Sequence, residues 1–210
     1  MSKLDFAALL CSRLCHDLVS PVGAINNGLE ILADETDASM RDAVLDLIEK
    51  STRQTSHKLQ FFRLAFGAAG GFSAQLDVRE CEKAMRAFLD GSRVNLEWDV
   101  TPESASKAQV KILLNLGLVV SEAMIRGGTV VVQMRSEGGQ SVITVRGEGA
   151  RVIVQDEVKS ALAGTLSDDD LEPRAAPAYL AQAVAAEIGG TLNLVEVSDT
   201  VAHIEAKLPD

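Results

Sequence analysis

Three histidines, His16, His57 and His203, are the only imidazoles in the chain. An imidazole, with an ordinary pKa of ~6.5, is a nucleophile and proton carrier near neutral pH. His16 has the richest surroundings: Asp17 follows it, and Cys11 and Cys15 precede it at helical spacing. Cys11, Cys15 and His16 offer soft ligands for a metal, but with Cys81 the cysteines form no CxxC pair of zinc type. The simpler expectation is that they are small buried or half-buried helix residues in a reducing compartment, with no metal site and no disulfide framework. His57 is followed by no comparable motif and reads as a polar bundle residue. His203 falls in an alternating strand pattern and reads as structural.

Two long helices must position His16. Over residues 4–32, Leu10, Leu14, Leu18, Ile25, Leu29 and Leu32 recur on one face. After a polar connection in which Thr36 or Asp37 can cap, a second helix over 38–66 carries Met40, Val44, Leu47, Ile48, Thr55, Leu59, Phe62 and Phe66. So short a loop makes the pair antiparallel, each helix ~45 Å long for ~30 residues. At 100° per residue His16 lies opposite the apolar stripe and faces solvent. Ser12, Ser20, Gly23 and Asn27, with Val19 alongside, leave a smooth surface around it that suits close docking of another protein. Arg13 reads as an ordinary surface arginine and is counted with them in that docking surface. Pro21 sits inside the helical pattern, where it removes a hydrogen bond to the Asp17 carbonyl at a cost of ~3 kcal/mol and predicts a bend just after the histidine. One hairpin cannot cover its own stripes. The sequence therefore argues for a homodimer in which two copies form a four-helix bundle about a two-fold axis, the alternative being that the C-terminal block folds back over the stripe.

Residues 67–71, GAAGG, read as a hinge between a hairpin over 1–66 and a second block over 72–210. In that block helical patterns over 78–89, 106–125 and 177–188 interleave with strand patterns over 94–100, 129–135, 141–146, 191–197 and 201–208. The expected fold class is α+β, with a helical hairpin followed by an α/β sandwich of one mixed sheet under a helical layer. The three aspartates at 168–170 read as an acidic loop or helix start.

Charge narrows the partners. A net charge of −10 and only 4% aromatic residues argue against nucleic acid and anionic membranes, which need clustered cations or stacking platforms. The longest uncharged stretch, over 64–76, contains three glycines, so no segment is expected to span a bilayer and the chain is expected to be cytoplasmic.

His16-Asp17-Leu18-Val19-Ser20-Pro21 resembles the H box of two-component histidine kinases, on the first helix of a dimerising hairpin. The longer run HDLVSPVGAINNGLEIL resembles more narrowly the ChpT-type histidine phosphotransferases of alphaproteobacteria, whose layout of hairpin plus degenerate kinase-like (GHKL-like) domain would cover the chain. ILLNL at 112–116 is similar to the start of the kinase N-box, but Val119 stands where the metal-binding asparagine belongs. Gly147 replaces the adenine-binding aspartate, Gly149 survives, and RAAPA at 174–178 replaces the glycine-rich lid. The resemblance therefore implies phosphoryl transfer through His16 between receiver-domain aspartates, without ATP or a metal of its own, the receiver supplying Mg²⁺. It implies that Asp17 orients the imidazole or accepts a proton, against the alternative of a merely solubilising carboxylate. Arg13 would at most soften the charge of a bound phosphoryl group. Implied partners are a second copy, the receiver of a CckA-like hybrid kinase, and CtrA-like and CpdR-like response regulators. The alternatives are an autophosphorylating kinase and a dimeric scaffold in which His16 carries no phosphate.

Overall fold

A computed structural model describes residues 2–67 and 75–209, apart from the Lys3 side chain. Residues 68–71 of the expected hinge lie outside the described residues.

Two helices open the chain, α1 (Lys3–Asp34) and α2 (Ala38–Ala65). Ser2 and Asp5 form a reciprocal capping box at the start of α1, and the Asp37 side chain caps α2 by accepting from the Met40 N–H. Arg41 closes the connection, its Nη1 donating to the Leu32 and Glu35 carbonyls at 3.0 and 2.7 Å. The helices approach closely at Gly28, where a Cβ would lie 2.7 Å from Ile48 Cγ1. By length and composition α1 is apolar enough to cross a membrane, which corrects the expectation that no segment is. The helix lies instead along α2, and Phe6, Leu9, Leu10 and Leu14 near its start pack onto the core of the second block.

The second block comprises β1 (Gln75–Asp77), α3 (Val78–Leu89), β2 (Val94–Val100), β3 (Ser104–Ser106), α4 (Lys107–Ala123), β4 (Gly128–Glu137), β5 (Gln140–Glu148), α5 (Asp156–Leu162), a 3₁₀ turn (Asp168–Asp170), α6 (Ala176–Glu187), β6 (Thr191–Val197) and β7 (Val201–Pro209). Five strands form a mixed sheet in the order β2-β4-β5-β7-β6, with β2 and β4 parallel and the rest antiparallel. β1 and β3 form a separate antiparallel pair. One sheet face, bearing Val130, Val132, Ile143, Val145 and Ile204, packs under the helices. The other is polar and laced by ion pairs of Arg135 with Asp99 and of Arg146 with Glu148 and Glu196. The α/β sandwich is thus observed, with β1, β3 and α5 as additions too short to leave a periodic signal.

α4 is the central helix, buried almost all round as its apolar composition requires. Its Asn115 is fully buried and donates Nδ2 to the Ala65 carbonyl at 2.9 Å and the Lys111 carbonyl at 2.8 Å, tying the end of α2 to the second block. Phe61, Phe62 and Ala65 of α2 belong to the same core as α3 and α4, and Phe61 stacks on Phe88 at 4.3 Å. Phe6 of α1 meets Tyr179 of α6 at 5.1 Å. The lower hairpin is therefore covered by the folded-back second block. Higher up, Leu29, Ile31, Met40, Leu45 and Leu47 remain exposed.

Candidate functional site

The phase of α1 decides which side chains reach the surface. With Leu10, Leu14 and Leu18 turned inward, the His16 side chain is 84% exposed. Ser12, Val19, Ser20 and Asn27 are also exposed, while Gly23 is half-buried. Cys11 and Cys15 are exposed too, which corrects the expectation that they are buried or half-buried: they fall outside the strip of α1 that α2 covers. Among the described residues no group of three or more His, Cys, Asp or Glu is placed to hold a metal.

Asp17 lies behind the imidazole, with Oδ1 3.3 Å from His16 Nδ1. Its Oδ2 accepts from Arg13 Nε at 2.8 Å. Arg13 is not the surface arginine its position beside His16 implied, nor a residue free for docking. It is only 5% exposed, enclosed between α1 and α4, and its Nη2 donates to Glu122 Oε1. Burial disfavours the Arg13 charge, but Glu122 and Asp17 outweigh it and hold the guanidinium pKa above its usual value. Glu122 keeps 38% of its side chain exposed toward a cleft, yet desolvation by the surrounding wall pushes its carboxyl upward against the pull of Arg13.

Pro21 does not interrupt α1, which is continuous from Lys3 to Asp34. The carbonyl it deprives is that of Asp17, and Lys58 Nζ from α2 donates to that oxygen at 2.8 Å. His57 is near the level of His16 but belongs to a separate groove between α2 and α3 with Arg53 and Lys83. His203 lies on the polar sheet face beside Arg146.

His16 and Asp17 form one rim of a cleft of about 490 Å³ whose other wall is the second block: Val119, Glu122 and Ala123 of α4, Val154 and Val158 near α5, and Arg174 before α6. Val119 contributes an apolar wall where the kinase-like pattern would have its asparagine. At Gly147 a Cβ would lie 2.5 Å from Val120 Cγ1, so β5 has no room there for the aspartate of that pattern.

A family model described as "Histidine phosphotransferase C-terminal domain" matches residues 78–200, which carry α4, four of the five strands of the main sheet and the far wall of the cleft. The chain belongs to the histidine phosphotransferase family. It is 43% identical over 129 residues to the protein phosphotransferase ChpT of Brucella abortus (strain 2308), an alignment covering 61% of this chain and 60% of that protein. The whole fold, hairpin included, is similar to a solved bacterial phosphotransferase at 30% identity and a TM-score of 0.85, covering 98% of this chain and 97% of the other. Within this histidine phosphotransferase, sequence reasoning did not reach Glu122 or Lys58. Glu122 had a signal: it is the one charge in the apolar run 112–124. Arg13 and Asp17 also stand at i, i+4, the spacing of an intrahelical ion pair.

Proposed function

We propose that this chain relays a phosphoryl group between receiver-domain aspartates through Nε2 of His16, without nucleotide. In the first step the Nε2 lone pair attacks phosphorus of an aspartyl phosphate, the P–O bond breaks, and the receiver carboxylate leaves with the bonding electrons. The second step runs the same chemistry in reverse toward another receiver. The observation that carries this reading is His16 standing clear of the hairpin, with Asp17 at Nδ1 and Nε2 open to an in-line donor. Mg²⁺ is brought by the receiver. Val119 and the closed space at Gly147 favour independence from ATP.

The exposed apolar residues of the upper hairpin favour a homodimer built as a four-helix bundle. We place the chain in the cytoplasm, with a CckA-like hybrid kinase upstream and CtrA-like and CpdR-like regulators downstream in cell-cycle signalling. Ser12, Val19, Ser20, Gly23 and Asn27 make the docking surface.

The test mixes the purified chain with a labelled phosphorylated receiver. His16→Ala abolishes acceptance while fold and receiver binding stay near normal, since removing an exposed side chain changes stability by under ~0.5 kcal/mol. His57→Ala retains transfer. Label that persists in His16→Ala and vanishes in His57→Ala refutes the assignment. Label taken from ATP alone would instead indicate an autophosphorylating kinase.

A further inference from the structure

The far wall of the cleft supplies a carboxylate for which the phosphoryl transfer just described has no use. Glu122 of α4 accepts from Arg13 Nη2, Arg13 Nε holds Asp17 Oδ2 at 2.8 Å, and Asp17 Oδ1 faces His16 Nδ1 at 3.3 Å. Four side chains thus run in line from the second block to the reacting ring. An exposed imidazole exchanges tautomers freely, and a free histidine side chain favours the proton on Nε2, the nitrogen that must be bare for attack. A carboxylate fixed beside Nδ1 selects the opposite tautomer. Asp17 can be that carboxylate only while its own orientation is held, and Arg13, only 5% exposed, is the group that holds it.

We infer that Arg13 and Glu122 are positioning residues, through which the second block sets the tautomer and orientation of His16. This inference rests on the phosphotransfer reading. As the N–P bond forms and the P–O bond breaks, the ring becomes cationic, and Asp17 stabilises that charge at Nδ1–H without a proton leaving. Glu122 divides the guanidinium between two carboxylates. Without it, both arms of Arg13 can turn onto Asp17 as a bidentate pair and draw Oδ1 away from the imidazole.

The test uses the full chain labelled with ¹⁵N-histidine, with long-range ¹⁵N–¹H correlation at a pH where the ring is neutral and with His57 and His203 as internal references. His16 is expected mainly as the Nδ1–H tautomer. Glu122→Ala shifts it toward Nε2–H and lowers the maximal rate of phosphoryl acceptance about tenfold, while the receiver concentration for half-maximal rate is unchanged. Glu122→Gln, which keeps an acceptor oxygen, retains most of both. Arg13→Lys, which cannot span two carboxylates, behaves as Glu122→Ala and decides the matter if the alanine variant fails to fold. A wild-type tautomer and rate in either disruptive variant overturns the inference, as does weakened receiver binding at unchanged maximal rate. If the unaltered chain accepts no phosphate, the phosphotransfer reading fails, and the tautomer shift alone then decides the positioning role.

Discussion

At Pro21 the backbone of α1 breaks a local rule and a distant side chain repairs it. The proline has no N–H for the Asp17 carbonyl, and Lys58 Nζ fills the gap across the hairpin at 2.8 Å. Lys58→Met keeps the aliphatic stem but strands that carbonyl. It is expected to cost about 1–2 kcal/mol and lower Tm by about 3–6 °C in a thermal melt. Cys81 behaves differently from Cys11 and Cys15. Burial, with Glu80 and Asp77 nearby, pushes its thiol up to about 12. Iodoacetamide at mildly alkaline pH is therefore expected to spare Cys81 in the folded chain and modify it after denaturation, as peptide mass spectrometry would show. The sign for stability follows. An unfolded thiol ionises near 9.0 and the folded one only near 12, so the unfolded state binds fewer protons between those values. Stability from this group is full below about pH 9 and falls as pH rises toward about 12.

Among the elements, α1 and α2 have two different halves. Near their base, Phe61, Phe62 and Ala65 are sealed into the core and Asn115 of α4 grips the Ala65 carbonyl. Toward the connecting loop, Leu29, Met40 and Leu47 stay exposed on a helix pair that has no further cover among the described residues. Leu47→Glu is neutral to the fold of one copy but puts a charge into the proposed bundle. Light scattering at micromolar concentration is expected to change from dimer to monomer, with little loss of helical signal in circular dichroism. A monomer for the unaltered chain would remove the bundle.

For the molecule as a whole, hairpin and sandwich share one continuous core, so the second block serves as a brace for α1. The cleft between them is walled by Val119, and at position 147 a Cβ would lie 2.5 Å from Val120 Cγ1, the two places where the kinase resemblance would put ligands for magnesium and adenine. Titration calorimetry with ATP and Mg²⁺ is accordingly expected to show no binding at micromolar nucleotide. Magnesium-dependent binding in that range would restore a kinase reading for the second block.

Periodicity, capping and helix phase are properties of neighbours in sequence, and they made much of the site legible in advance. The stripe of Leu10, Leu14 and Leu18 put His16 on the outside, Thr36 or Asp37 was expected as a cap and Asp37 is the one that caps, and the HDLVSP run singled out one histidine among three. The long helices and the strands of the main sheet followed from the same local patterns. Three-residue strands such as β1 and β3 and the single short helix α5 did not, because so few residues complete no recognisable period. What surrounds His16 was decided only in three dimensions. Arg13 looks like a surface cation until α4 closes over it, and Glu122 reaches it from 109 positions away. Lys58 reaches Asp17 across 41. Such contacts depend on how elements pack, and a residue buried against a distant element carries no mark of it in its own neighbourhood. The sequence alone thus singled out His16 as the residue proposed to carry a phosphoryl group, while the tertiary structure decided what surrounds its ring.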